Sequence, residues 1–242
     1  MRHAFLDRYG DGDSVLHRRD PRVKTVGVLL ALLLVVSEPS GVAAPFAAYL
    51  LLTGALLTLG RVPALFVLKR CLLAAPIILT AALFLVLDGG VRWEGGLGAG
   101  LSMSLKAFTA VSLVTLLTAT ERFHRILAGL RSLGMPEMLT TLAAFMYRYA
   151  FILSDEVLRT SRARVSRTPG PLRTGRVDTY GNQAGMVFLR GWRRSRRVYQ
   201  AMRSRGFSGA LPGAPVLRAG WGDLLFLLLV AGSFGLVRGL WP

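Results

Sequence analysis

The sequence predicts an all-α integral membrane protein with about five transmembrane helices and a cytoplasmic helical block between the fourth and the fifth. Three observations carry this expectation. The 242-residue chain combines 52% hydrophobic content with a formal net charge of +17, two extremes that soluble domains rarely join. The two properties are segregated, with long apolar runs separated by charged connections. The basic residues, finally, gather in alternate connections, as they do in membrane proteins of fixed orientation.

The first apolar run is Val23–Val36, led by Arg2, Arg8, Arg18, Arg19, Arg22 and Lys24. Ser37-Glu38-Pro39-Ser40-Gly41 reads as a tight turn into the second run, Val42–Leu59. Both runs fall short of the ~20 apolar residues that a bilayer core asks of a helix. Arg61, Lys69 and Arg70 accompany the connection to the third run, Ala64–Leu87. Asp88, Arg92 and Glu94 precede the fourth, Leu97–Thr120, and Trp221–Trp241 is the fifth. Basic connections mark the cytoplasmic side. The N-terminus is therefore expected inside and, after five crossings, the C-terminus outside, in a multi-pass protein of the cell (inner) membrane. A cleavable leader ending at Ala43-Ala44 is the rival reading of the first run. The charged segment ahead of it is long for a leader, and Pro45 would hinder cleavage. Cys71, the single cysteine, has no internal disulfide partner and reads as a small buried hydrophobe. Lys106 is the one clear charge deep in a run, where it would snorkel or pair with a neighbour.

These boundaries divide the chain into 1–120 (N-terminal segment and four spans), 121–220 (the cytoplasmic block) and 221–242 (the last span). The block holds 18 arginines against five acids, Glu121, Glu137, Asp155, Glu156 and Asp178, and so +13 of the chain's +17. Its centre, Thr168–Gly185, is rich in Pro, Gly, Thr and Asn and reads as a loop. A first helix follows Leu133-Gly134-Met135, with Pro136 suited to a helix start and Glu137 where the helix dipole favours a carboxylate. At 100° per residue, Leu139, Leu142, Ala143, Met146, Tyr149, Ala150, Leu153 and Val157 share a stripe about 120° wide. Arg164 lands on the same stripe, so the buried face is expected to end in an arginine. Thr168-Pro169-Gly170 closes this helix. The second pattern covers about Met186–Phe207. Phe188, Leu189, Trp192, Tyr199 and Met202 share one side, while Arg190, Arg193, Arg194, Arg197 and Arg205 share an arc of about 120° on another. Gly206 supplies the stop.

Basic amphipathic helices commonly lie on anionic lipid, so contact with the lipid bilayer is the first reading of this block. Docking of a cytoplasmic protein is the second. The chain uses 27 arginines and three lysines, and the planar guanidinium fork suits bidentate pairing with carboxylates at interfaces. Nucleic-acid binding is not expected, because no recognisable motif occurs and few aromatics lie between the charges.

Several stretches together resemble the transmembrane T component of energy-coupling-factor (ECF) transporters, in its cobalt-type CbiQ form. They are Asp20-Pro21-Arg22-Val23-Lys24, Leu130-Arg131-Ser132-Leu133-Gly134-Met135-Pro136-Glu137, Met146-Tyr147-Arg148-Tyr149, Ser161-Arg162-Ala163-Arg164-Val165-Ser166-Arg167 and Ala201-Met202-Arg203-Ser204-Arg205-Gly206-Phe207. The resemblance covers nearly the whole chain. It implies two coupling helices, each ending in a short Ala-Arg-Gly-like motif that inserts into a groove of an ABC-type ATPase subunit. The second motif falls on Ser204, Arg205 and Gly206. The first falls on Ala163, Arg164 and Val165, or on a frame three residues later centred on Arg167, and neither frame has glycine in third place. The resemblance further implies two cytoplasmic ATPases, which bind ATP and Mg while this chain binds no cofactor. It also implies a separate membrane substrate-binding (S) subunit of cobalt type, with a small accessory membrane subunit, serving cobalt transport for cobalamin biosynthesis.

Absences in the sequence fit a non-catalytic subunit. No Gly-x-x-x-x-Gly-Lys-[Ser/Thr] phosphate loop occurs, and Gly95-Gly96-Leu97-Gly98-Ala99-Gly100 lacks the lysine and reads as a flexible connection. His3, His17 and His124 are scattered, so no metal site is expected; His17 near Asp13 and Asp20 is the only candidate. The alternatives are a T component for nickel or vitamins, or a membrane-embedded enzyme. The last would need paired carboxylates, and Asp155-Glu156 point about 100° apart on a helix.

Overall fold

The computed structural model of the chain describes residues 12, 14, 16, 17, 19–38, 44–89, 96–167, 176–209 and 220–240. These residues form eight α-helices and no strand: α1 (Pro21–Ser37), α2 (Ala44–Leu59), α3 (Ala64–Gly89), α4 (Gly98–Thr120), α5 (Phe123–Ser132), α6 (Glu137–Arg167), α7 (Arg176–Arg203) and α8 (Trp221–Leu240). The chain divides into two compact units, Met1–Leu133 with Pro215–Pro242, and Gly134–Ala214. The first holds α1–α5 and α8, the second α6 and α7.

In the first unit, α4 is the central helix, packed on α1, α2 and α3, while α8 packs on α1 and α2. Its hydroxyl side chains make that burial possible. Thr109, Ser112, Thr115 and Thr120 each donate to the carbonyl four residues earlier, at 2.7–2.8 Å. These four small polar residues thus lie inside with their hydroxyls satisfied; left unpaired, they would be costly away from water. Gly100 permits close approach of α3. A Cβ there would stand 3.0 Å from the Ala82 carbonyl oxygen and 2.9 Å from Val86 Cγ2. Residues 96–100 are helical and Gly100 is packed, so this stretch is not the flexible connection expected from its glycines.

Contacts fix the directions of the helices. Lys24 at the start of α1 reaches Thr120 at the end of α4, and Lys106 in α4 reaches the end of α1, so these two run antiparallel. Arg70 donates to Thr118 at 2.8 Å while Ala82 meets Gly100, so α3 also opposes α4. Lys106 lies over Phe46 and Leu116 meets Gly60, so α2 runs with α4. The Asp20 N–H donates to Asp223 (3.3 Å), and Leu227 lies by Gly27, so α8 runs with α1. The five helices therefore alternate in direction along the chain. The main apolar cluster joins Val28, Ala31 and Val35 of α1 to Phe46 and Tyr49 of α2, Leu113 of α4 and Val230, Phe234 and Val237 of α8. Tyr49 and Phe234 stack at its centre, with ring centroids 5.5 Å apart.

Ala64–Leu87, Gly98–Thr120 and Trp221–Leu240 are long and apolar enough to cross a membrane. The two remaining bundle helices, α1 and α2, have 17 and 16 residues, or about 25 Å each at 1.5 Å per residue. Among the described residues, then, three helices are both long and apolar enough for a span, and two shorter apolar ones pack beside them. On α3, Leu65, Leu68, Leu72, Leu73, Ile77 and Phe84 point outward, as a lipid-facing surface requires.

Lys106, whose partner the sequence left open, donates to the Val36 carbonyl (3.1 Å) and the Glu38 carbonyl (2.9 Å). It caps the end of α1, where carbonyls have no helical partners and the dipole attracts a cation. Glu38 is buried and its carboxylate accepts from the Tyr49 hydroxyl at 3.2 Å. Cys71 is a half-buried free thiol, 3.7 Å from the Ser112 hydroxyl.

The opposite end of the bundle is charged. The Asp20 side chain accepts from the Arg22 N–H (2.9 Å) and caps α1, with Pro21 in the first turn. Lys24 forms an ion pair with Glu121, directly after α4, and Arg125 of α5 approaches the same carboxylate at 3.5 Å. Asp223 in the first turn of α8 accepts from the Gly220 N–H (2.9 Å) and lies 3.7 Å from Arg19. The short helix α5 was not foreseen as a separate element. It packs on α1, with Gly129 against the Pro21–Arg22 backbone. Arg2, Arg8, Arg18, His3, Asp13, the turn residues 39–41, Arg92, Glu94 and residues 168–175 lie outside the described residues.

Candidate functional site

The second unit is an antiparallel hairpin of α6 and α7. Leu133 closes α5, Gly134 follows at φ +103, and the Leu139 N–H donates to the Pro136 carbonyl (3.0 Å) as α6 begins. Thr140 and Thr141 are buried near its start. The helix then runs to Arg167, as the sequence predicts, while α7 begins ten residues earlier than predicted. Residues 176–185 are helical, not loop. Their glycines and asparagine are poor helix formers, but packing on α6 overrides that preference. The Gln183 side-chain amide donates to the Val157 carbonyl and the Thr160 hydroxyl, both at 3.1 Å. Arg190 pairs with Glu156, and Gly191 lets Leu153 approach to 3.3 Å of where a Cβ would stand.

The α7 face turned to α6 is thus Tyr180, Gln183, Val187 and Gly191. Its spacing of three, four and four is a helical stripe. The signal was present, but Gly181, Asn182 and Gly185 around it read as loop.

The stripe Leu139, Leu142, Met146, Leu153 and Val157 was expected to be buried, yet these residues are 36–65% exposed. A single neighbouring helix covers only a narrow strip, from Leu153 to Arg164, and the rest of the apolar face stays open. On α7, likewise, Phe188, Leu189, Trp192 and Tyr199 are exposed, with Trp192 at 57%.

The predicted motif residues lie at two places: the first at the end of α6, beside the start of α7, and the second directly after α7. Arg164 is half-buried, its guanidinium carbon 4.4 Å from the Tyr180 ring centroid. This cation–π placement holds the planar group at the side of the hairpin. Ala163, Val165 and Arg167 are exposed. Ala163, Arg164 and Arg167 border a cleft of about 580 Å³ that Arg159, Gln183 and Arg190 also line. Four guanidinium groups and one carboxylate, Glu156, share it, so it is suited to an anionic side chain. Glu156 is engaged by Arg190, which leaves the adjacent Asp155-Glu156 pair poorly arranged for acid–base chemistry.

Ser204, Arg205 and Gly206 are exposed at the other end of α7. The Phe207 N–H donates to the Met202 carbonyl and the Gly206 N–H to the Arg203 carbonyl, both at 3.0 Å. These are the two bonds of a Schellman stop, with Gly206 at φ +80 in the left-handed position. Arg205 therefore sits at the C-cap, where the helix dipole favours its charge. From Tyr180 beside Arg164 to Ser204, α7 rises about 36 Å at 1.5 Å per residue. The two arginine motifs are brought onto one hairpin but not to one place.

Among the described residues, no three His, Cys, Asp or Glu side chains converge to hold a metal ion. His17 hydrogen-bonds to Ser14 at 2.6 Å.

A bundle with an outward leucine surface and a basic helical hairpin as a separate unit define an all-α membrane protein. The particular family follows from comparison: the chain belongs to the family described as cobalt transport protein (CbiQ), which matches residues 12–214. It is 26% identical over 232 residues to the energy-coupling factor transporter transmembrane protein EcfT of Bacillus subtilis, covering 86% of each chain. It is 28% identical over 135 residues to the nickel permease LarQ of Lactiplantibacillus plantarum, 56% of this chain and 49% of that one. An uncharacterised protein of Methanocaldococcus jannaschii is 30% identical over 124 residues, half of this chain and 41% of that protein's length. The chain is thus a transmembrane component of a transporter in the energy-coupling-factor T-component family.

Proposed function

We propose that the chain is the coupling subunit of an ATP-driven importer, with cobalt as its cargo. Two cytoplasmic ABC-type ATPases would bind ATP and Mg, and a separate membrane subunit, with a small accessory partner, would hold the metal. The observation that carries this reading is the hairpin: a half-buried Arg164 at the end of α6 and an exposed Arg205 after α7, separated by about 36 Å of helix rise, suit two separate sockets, one per ATPase. Domain 121–220 would then be the coupling block, with α5 as its link to the bundle.

Five alternating helices support five crossings of a cell (inner) membrane. Arg19, Arg22, Lys24, Arg61, Arg70 and Arg125 gather at the end where α1, α3 and α8 begin, which by the positive-inside rule is cytoplasmic. The N-terminus is then inside and the C-terminus outside. Cobalt is supported by the family's description and by the name of a putative fused cobalt transport protein CbiMQ of Methanocorpusculum labreanum, 25% identical over 139 residues. Nickel is the second reading, favoured by the likeness to LarQ.

Detergent pull-down of the cognate ATPase pair tests the coupling role. Arg164→Ala and Arg205→Ala should each weaken retention and the double variant should abolish it, with membrane insertion unchanged. Arg167→Ala decides between the two frames of the first motif. Undiminished retention by the double variant, or no retention by the native chain, would sink the reading.

A further inference from the structure

The charged end of the bundle contains a group whose burial is out of proportion to any structural need. Glu121 is 1% exposed and Lys24 3% exposed at their side chains, and the two form an ion pair between α1 and the corner where α4 turns into α5. The Lys24 ammonium also reaches the Thr120 carbonyl at 3.4 Å, and Arg125 approaches Glu121 from α5. Three helices are therefore tied by one carboxylate. Buried ion pairs gain little net stability over apolar residues of similar volume, because desolvation offsets the attraction. What such a pair does provide is registry: it allows one relative placement of the elements it joins.

The placement here matters for connectivity. Helix α5 is pinned on α1 by Gly129 against Pro21 and Arg22, and it runs directly into Gly134, where the second unit begins. Any displacement delivered through the chain at Gly134 meets α5 first. Beside that backbone contact, the side-chain route from α5 into the bundle is the Glu121 carboxylate and its Lys24 partner on α1. From α1, the Asp20–Asp223 contact continues to α8.

We propose that Glu121 and Lys24 are positioning residues for transport, the rigid joint through which motion of the coupling hairpin is passed into α1 and α8. The proposal rests on the coupling role argued above. It assigns no contact with cargo or nucleotide to either residue.

The test uses the whole transporter, reconstituted in liposomes with its ATPase pair and substrate-binding subunit. Metal uptake per ATP hydrolysed is measured beside thermal unfolding of the same complex. The double variant Lys24→Met, Glu121→Leu removes both charges together, and Arg125, being more exposed, stays solvated. It should leave assembly and melting temperature near native while uptake per ATP falls about tenfold, within the range of coupling between sites. Glu121→Gln, close to isosteric, should show the same loss of uptake at retained ATP hydrolysis, and Glu121→Asp should recover part of it. Native uptake per ATP in the folded double variant would overturn the proposal and leave the pair a packing feature. If the double variant does not fold, native coupling by Glu121→Gln overturns the proposal equally. A native chain that retains no ATPase removes the coupling role itself, and this inference with it. That failure is visible before any variant is made.

Discussion

In the bundle, Lys24 and Glu121 are buried and paired across helices, and Asp223 bonds across to the backbone of Asp20. In the hairpin, Arg167 and Arg205 stand exposed, and so do Phe188, Leu189 and Trp192. Both regions show apolar side chains outside, but for different reasons. The bundle's outward leucines on α3 face a lipid phase, so they need no protein partner and its polar groups must be satisfied internally. The hairpin mixes charge with large apolar residues on its surface, a composition typical of protein interfaces, where aromatic residues and arginine are enriched. The surface of the first region suits lipid, and that of the second suits a protein partner.

Substitutions can break this contrast, beginning with the largest expected effect. Lys24→Met alone strands the Glu121 charge in a buried site and should destabilise the bundle by about 3–5 kcal/mol, read as a lowered melting temperature in detergent. The corresponding change in the hairpin, Arg167→Ala, removes an exposed charge and should leave melting unchanged within about 0.5 kcal/mol. Equal losses at both positions would erase the distinction.

Next in size is Arg205→Ala, measured as binding. If its guanidinium pairs with a desolvated carboxylate of an ATPase, the loss is about 2–5 kcal/mol in affinity, with no change in the melting of the isolated chain. Titration of the ATPase pair onto the detergent-solubilised protein checks it. A loss of melting temperature in place of affinity would make Arg205 a cap residue only.

The two regions also differed in how far the sequence revealed them. The bundle helices follow the apolar runs closely, because unbroken hydrophobicity marks where each helix lies and how long it runs. The start of α6 was likewise legible in Leu133-Gly134-Met135-Pro136-Glu137, where local chemistry suffices. What escaped were features decided by tertiary contact. Gln183 and Tyr180 hold a glycine-containing segment helical by reaching across to Thr160 and Arg164. Lys106 finds its partner 70 residues away in the Val36 carbonyl. Helix α5, only ten residues long, carries too little pattern to stand out from a basic block. The motif arginines were placed on helix ends by spacing, but the exposure of the stripe leading to Arg164 depended on how little of it α7 covers.

Gly100→Leu probes close packing within the bundle. A side chain there meets the Ala82 carbonyl and Val86, so α3 and α4 must separate, at a cost of about 1–3 kcal/mol. A melting temperature equal to native would show that the two helices are not in contact at this point.

Gly206 offers the smallest effect and the sharpest contrast with Gly100. Nothing lies within 4 Å of a Cβ built on Gly206, yet its φ is +80. The glycine is needed for conformation and not for space. Gly206→Ala should therefore cost about 1 kcal/mol through backbone strain, and Gly206→Asn less, since asparagine tolerates the left-handed region better. Because the strain falls on the stop itself, the change should appear as faster hydrogen exchange at the Gly206 and Phe207 amides, which close the last turn. Exchange through α8 should stay as in the native chain. If alanine weakens ATPase retention and asparagine restores it, the ordered turn that presents Arg205 is what the partner reads. If both substitutions retain the ATPase fully while exchange at Phe207 rises, the turn is dispensable and the arginine alone suffices.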